Sequence, residues 1–228
     1  HTVPPILVSL MILSVVGMNL LANKSIDTGL EWLALDCGIL FSWLTFLTMD
    51  VLTHCFGPRA ATAASLCALA LNLLMALMFF IASQIPGVWG ESFVDVGGEG
   101  INNALDNTFG GTWFVILGSS IAFAVSAVVN NFLNWAIGER LAKNGSFATF
   151  AARSYISTFI AQFVDNLIFA TMVSYVFFGW NLTQVLTCSL TGALAELLFE
   201  VLLSPVGYKV VRGWKKDAVG TEYLKAKD

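Results

Sequence analysis

Six runs of roughly 20 apolar residues divide this chain, at about 3–21, 32–49, 60–83, 112–135, 155–178 and 182–203. Each is about long enough to cross the ~30 Å hydrocarbon core of a bilayer as a helix. A backbone in lipid must satisfy its own N–H and C=O groups, so only helices and closed barrels can span. Barrel strands would alternate apolar and polar residues over segments of about ten, and these runs do not alternate. Charged residues make up 11% of the sequence, against about 25% in soluble domains. The chain therefore reads as an all-α, multi-pass integral membrane protein. A six-helix transmembrane domain covers 1–206 and a basic tail covers 207–228. His1 is set aside as a tag remnant or processed end, and the first run is taken as a span rather than a signal peptide.

The basic residues orient the bundle. With both termini in the cytoplasm, Arg59, Arg140, Lys143 and Arg153 fall at inner helix ends or loops. Lys209, Arg212, Lys215, Lys216, Lys225 and Lys227 fall in the inner tail, and only Lys24 faces out. That asymmetry predicts an N-in, C-in protein. The loop between the third and fourth runs carries Glu91, Asp95, Glu99 and Asp106 and no base. A short interfacial helix is expected there, near 101–109. The tail, with Val210, Val211 and Trp214 among lysines, is expected to lie on anionic lipid. Cys37, Cys55, Cys67 and Cys188 show no paired spacing and read as packing residues.

Ionisable groups near the bilayer centre cost about 2.5–3.5 kcal/mol each, and they mark pathways or sites. The fifth run places Thr158, Gln162, Asp165 and Phe169 on one helical face, with Asn166 beside it. Counted from Arg153, Asp165 lies about 18 Å into the membrane. The fourth run offers Ser119, Phe123, Ser126, Asn130 and Asn134 as a matching stripe, so Asn130 is expected to face Asp165. The sixth run carries Ser189, Gly192, Glu196 and Glu200 on one face, with Arg140 or Arg153 available to neutralise Glu200. The second run aligns Asp36, Trp43 and Asp50, with Asp50 at the inner mouth.

This inventory of Asp165, Glu196, Gln162, Asn130 and Asn166 is rich in acceptors. It holds no Arg or Lys at midplane depth, which argues against an anionic substrate. A planar base with an amino group and ring N–H donors suits it, because a carboxylate accepts two such groups at once. Trp43, Phe123, Tyr155, Phe159 and Phe163 supply candidate stacking faces. No P-loop, HExxH, GxSxG or CxxC occurs, so neither ATP hydrolysis, nor a metal site, nor a cofactor, nor enzyme chemistry is expected.

Two segments resemble the queuosine-precursor transporter family, also called the VUT or YhhQ family of vitamin uptake transporters. In TMDVLTHCFGPRAA, Asp50, Phe56, Gly57, Arg59 and Ala60 fit the family pattern, and His54 stands where a Glu is common. In RSYISTFIAQFVDN, the residues Arg153, Ser157, Thr158, Gln162 and Asp165 fit its R-x-x-x-S-T-x-x-x-Q-x-x-D signature. Asn130 occupies a position where the family often has Asp. The resemblance implies a bundle like that of ECF S-components. It also implies import of 7-deazaguanine precursors of queuosine, such as 7-cyano-7-deazaguanine, across the inner (plasma) membrane.

On that reading Asp165, Gln162, Asn166, Asn130, Glu196, Thr158 and Trp43 bind the base, while Arg153, Asp50 and Glu200 gate the inner end. The partners implied are the deazapurine and membrane lipid, with no nucleic acid, and the unit is a monomer or a homodimer. The alternative is an S-component that requires a partner ATPase module.

Overall fold

A computed structural model describes residues 3–22, 24–26, 29–30, 35–86, 98–110, 113–141, 146–176 and 179–222. The expected loop acids Glu91 and Asp95, and the bases Lys143, Lys225 and Lys227, lie outside the described residues, and the side chain of Asp36 is not described. Among the described residues seven helices follow in order: α1 Pro5–Leu21, α2 Ile39–Phe56, α3 Pro58–Ser83, α4 Gly98–Gly110, α5 Trp113–Arg140, α6 Phe147–Phe169 and α7 Leu182–Lys216. A π-helical segment, Ala170–Tyr175, continues α6. A two-residue antiparallel ladder, β1 Ser25–Ile26 with β2 Leu35–Asp36, ties the connection between α1 and α2.

Five of the helices are long and apolar enough to cross a membrane, and α1, at 17 residues, is a shorter apolar helix. The surface confirms their solvent. Ile6, Leu66, Leu77, Phe132, Leu186, Leu198 and Leu202 point outward, while Asp50, Asn130, Asn131, Asn134, Gln162 and Glu200 are buried. A water-soluble domain reverses that distribution.

Helix α2 is the axis of the bundle. Nine consecutive residues, Thr45 to Thr53, are buried, which requires neighbours on every side of a helix. It packs against α1, α3, α5 and α7. Helix α3 presents Ala61, Ser65, Ala68 and Asn72 inward at steps of four, three and four, and such small residues let helices approach closely. The hydroxyl of Ser65 donates to its own helix at Ala61 O (2.9 Å) and meets Met11 Sδ of α1 at 3.7 Å. Helices α2 and α3 join through Gly57 alone, whose φ of +84° suits only glycine, and Pro58 then opens α3. Helix α6 starts on Ser146, which caps Thr149 N, and α7 starts on a capping box of Asn181 and Gln184. The amphipathic α4 lies against α3, with Phe79 and Phe109 stacked 4.8 Å apart.

The helix bounds differ from the expected spans in three informative places. Helix α2 begins at Ile39, after the β-ladder, and runs to Phe56. Asp50 therefore sits six residues inside its end, about 9 Å deep. Helix α6 begins at Phe147, two turns before the expected span, and carries Arg153 within it.

Helix α7 continues through Pro205 to Lys216. A proline cannot donate to the carbonyl four residues back, and here that orphan is Val201 O. Ser204 Oγ donates to it at 3.1 Å. Ser204 in turn takes its own hydrogen bond from Tyr155, at 2.6 Å. Beyond Pro205 the helix docks on protein through its apolar face, with Lys209, Arg212, Lys215 and Lys216 exposed on the other. Val211 is buried, Gly207 sits on Leu47 and Phe150, and Trp214 meets the Phe56 ring edge-on at 6.0 Å.

Two glycines of α7 predict opposite responses. A Cβ at Gly207 would stand 2.8 Å from Leu47 Cδ1, while one at Gly213 meets nothing within 4 Å. Gly207→Leu is expected to cost about 1–3 kcal/mol by overpacking. Gly213→Ala is expected to gain about 0.5–1 kcal/mol of helix stability. Thermal unfolding in detergent measures both, and a Gly207→Leu protein as stable as wild type would refute the docking.

Candidate functional site

Toward the end of the bundle that carries Arg59, Arg140 and Arg153, four helices meet in one polar knot. Asp50 of α2 is fully buried. Asn130 Nδ2 of α5 donates to its Oδ1 at 2.8 Å. Ser154 of α6 is hydrogen-bonded to its Oδ2, and Thr158 Oγ1 lies 3.4 Å from the same atom. Ser154 Oγ also lies 2.5 Å from Glu200 Oε1 of α7. Glu200 is fully buried, and its Oε2 has no hydrogen-bond partner.

The knot extends sideways through amides. Thr53 donates to Asn131 Oδ1 at 3.1 Å, and Asn131 Nδ2 donates to Thr62 at 3.2 Å. Asn134 Oδ1 accepts from Arg153 Nε and Nη2 at 3.0 and 2.6 Å. The guanidinium occupies the space a side chain at Gly138 would need, 2.6 Å from that glycine's virtual Cβ. Arg153 is thus held by an amide, and Glu200, expected to meet Arg140 or Arg153, is held by Ser154 instead.

The other half of the bundle is open. A cleft of about 100 Å³ lies between α6 with its π segment and α7, closed on one side by Ile39 of α2. Asn166, Phe169, Ala170 and Ser174 form one wall. Ser189, Gly192 and Glu196 form the other, with Trp180 at the rim. The two walls are close: a Cβ on Gly192 would stand 2.8 Å from Asn166 Nδ2, which is buried and has no partner. Gln162, one turn from Asn166 toward the knot, also has a buried amide nitrogen without a partner.

The expected residues divide between these two places. Asn166 and Glu196 line the cleft, Asn130, Thr158, Asp50 and Glu200 form the knot, and Gln162 lies between them. Asp165 does not line the cleft; its Oδ1 accepts from Ser126 of α5 at 2.6 Å. Trp43 turns its Nε1 to its own helix at Leu40 O, 2.8 Å away.

Asn130 faces Asp50 rather than Asp165, and the register of α5 on α6 gives the reason. Gly118 meets Val173, Ser126 meets Asp165, Asn134 meets Ser157 and Gly138 meets Arg153, so each step along α5 is matched by an equal step back along α6. That register sets Ala161 opposite Asn130. With so small a neighbour, the amide reaches past α6 to α2. The π segment and Trp180 were not among the expected features. A π turn leaves no periodic signal in an apolar run, although such turns recur at functional sites.

An apolar exterior, a polar interior and a cleft between helices fit a multi-pass membrane protein that handles a small molecule. The model of the family described as "Putative vitamin uptake transporter" matches residues 36–210. The chain belongs to this family. The matched stretch contains the whole knot and the whole cleft. No curated protein and no solved structure gives a significant match.

Removing the hub of the knot tests its weight. Asp50→Ala strands Asn130 Nδ2 and leaves Ser154 with Glu200 alone, and a buried polar group left without a partner costs about 1–3 kcal/mol. A clear fall in the unfolding temperature of the purified protein is expected. Unchanged stability would mean that the knot does not hold the four helices together.

Proposed function

We propose that this chain imports 7-deazaguanine precursors of queuosine, such as 7-cyano-7-deazaguanine, across the inner membrane, with its basic end in the cytoplasm. The observation that carries the reading is the cleft. It pairs a carboxylate on α7 with an unpartnered amide donor on α6, beside the rings of Phe169 and Trp180.

A guanine-like base presents an amino group and a ring N–H side by side, and a carboxylate such as Glu196 accepts both. Its carbonyl oxygen then takes the Nδ2 hydrogens of Asn166. Phe169 or Trp180 covers the ring face. Asp165, held by Ser126 next to Asn166, fixes the α6 wall and contributes negative potential that disfavours anions. Thr158, Gln162 and Asn130 carry the polar seam onward from the cleft toward the cytoplasm. Trp43 lies outside the cleft lining, and its role in this scheme is packing.

The knot is the closed inner gate. Asp50, Glu200 and Arg153 are its charged members, and the base reaches the cytoplasm when α2, α6 and α7 part. The cleft faces the opposite side. That pairing of one open and one sealed end is what alternating access requires.

Rescue tests the proposal. The chain is expressed in a bacterium that lacks both queuosine synthesis and its own precursor transporter, and is fed 7-cyano-7-deazaguanine at nanomolar concentration. Queuosine in tRNA is expected with the wild type. It is expected to be lost in Glu196→Gln and Asp165→Asn, and to fall at least tenfold in Asn166→Ala, with all variants present in the membrane. Full rescue by Glu196→Gln would remove the carboxylate from the site. Uptake by the purified chain alone in liposomes would exclude the need for an ATPase module.

A further inference from the structure

We propose that Asp50 and Glu200, bridged by Ser154, form a proton-binding site that couples import of the base to a proton gradient; the coupling rests on the transport reading above, and the proton site does not.

The argument is a count of hydrogens. The Ser154 hydroxyl owns one hydrogen, yet its oxygen is in hydrogen-bond contact with both Asp50 Oδ2 and Glu200 Oε1. It can donate fully to one of them. An ionised carboxylate offers only lone pairs, so with both acids charged the second contact would set acceptor against acceptor. One additional proton resolves the conflict: Glu200 donates to Ser154, and Ser154 donates to Asp50. The remaining contacts favour this assignment. Asp50 receives Asn130 on Oδ1, as a charged group needs. Glu200 Oε2 is buried and receives nothing, which costs far less for a neutral acid than for a carboxylate. Among the described residues no group of three or more His, Cys, Asp or Glu side chains is placed to hold a metal ion.

The surroundings offer no competing counter-charge in contact. From α2 come His54, one turn from Asp50 with its Nδ1 unpartnered and its ring edge-on to Phe150, and Cys55. From α6 come Arg153, engaged with Asn134, and Tyr155, engaged with Ser204. Helix α7 adds Glu196, one turn toward the cleft, and Lys215 far along it. Helix α3 adds Arg59 and Cys67, both exposed, and α1 and the facing stretch of α5 carry no titratable group.

Opening the inner end must separate α2, α6 and α7. Asp50 and Glu200 then meet water singly, and the shared proton leaves to the cytoplasm. One proton is bound while the end is closed and one is released when it opens. For the gradient to act, the proton must arrive from the cleft side, where Glu196 lines the cleft one turn from Glu200 on α7 and is the carboxyl placed to pass it on. Taken up from that side while the inner end is closed and released to the cytoplasm when it opens, the proton moves inward with the base.

Two measurements on the full chain in liposomes test this. The first is infrared spectroscopy without substrate at pH 7. A protonated-carboxyl C=O band is expected in the wild type, shifted by carboxyl-13C glutamate labelling and missing from Glu200→Gln. Absence of the band in the wild type, a band that labelling does not move, or a band that disappears in Glu196→Gln overturns the proton site, and these arms decide even where Glu200→Gln does not fold. The second is uptake of 7-cyano-7-deazaguanine with and without an inside-alkaline gradient at clamped potential. Gradient-driven accumulation is expected in the wild type, and whatever uptake remains in Glu200→Gln is expected to ignore the gradient. Wild-type exchange of the base that ignores the gradient overturns the coupling. A wild type that neither binds nor exchanges the base defeats the substrate reading instead, and the infrared band alone then decides the proton site.

Discussion

Ser154 touches carboxylates from two other helices, and much of the bundle is arranged around that contact. Its neighbours explain why α2 can be buried on all sides and yet carry an acid. In a bilayer no water reaches a stranded polar group, so the chain must supply every partner itself. A single net hydrogen bond is worth about 1 kcal/mol, while a buried charge left unpaired costs several. The knot is therefore held less by the strength of its bonds than by the cost of breaking any one of them. Its members come from α2, α5, α6 and α7, so those four helices share one energetic fate.

The two halves of the bundle solve the same problem differently. In the basic half, amides and hydroxyls are spent on one another: Asn131 on Thr53 and Thr62, Asn134 on Arg153 and Ser157. In the other half, Asn166 and Gln162 keep amide nitrogens in reserve. Small residues decide where the helices close up. Gly138 admits a guanidinium and Gly192 admits an amide, so the same device serves closure in one half and a cleft wall in the other.

Much of this was legible in the sequence. The five long apolar helices and the shorter α1 follow from the apolar runs, and the polar faces of α6 and α7 follow from helical spacing. Residues that depended on tertiary context were harder to place. Asp50 stands near a Gly-Pro turn and a base, so it reads as a mouth residue, yet α2 is the central helix and nothing in a single apolar run says which helix is central. The partner of Asn130 turned on a register that places Ala161 opposite it, and spacing alone allows registers one turn apart. The end of α7 was obscured by Pro205, because a proline marks a stop unless a hydroxyl repairs the lost bond, as Ser204 does. Arg153 and Ser154 made the start of α6 look like loop for the same reason: their partners lie on other helices.

The π segment at Ala170–Tyr175 has a consequence for timing along the helix. At 3.6 residues per turn, positions four apart drift by about 40° around an α-helix. A wall built from Asn166, Ala170 and Ser174 would therefore spiral off the cleft. The wider π turn rotates the backbone the other way, and it begins at Ala170, the second of these three residues. It acts as a phase correction, keeping three successive turns of one helix in step on a straight wall.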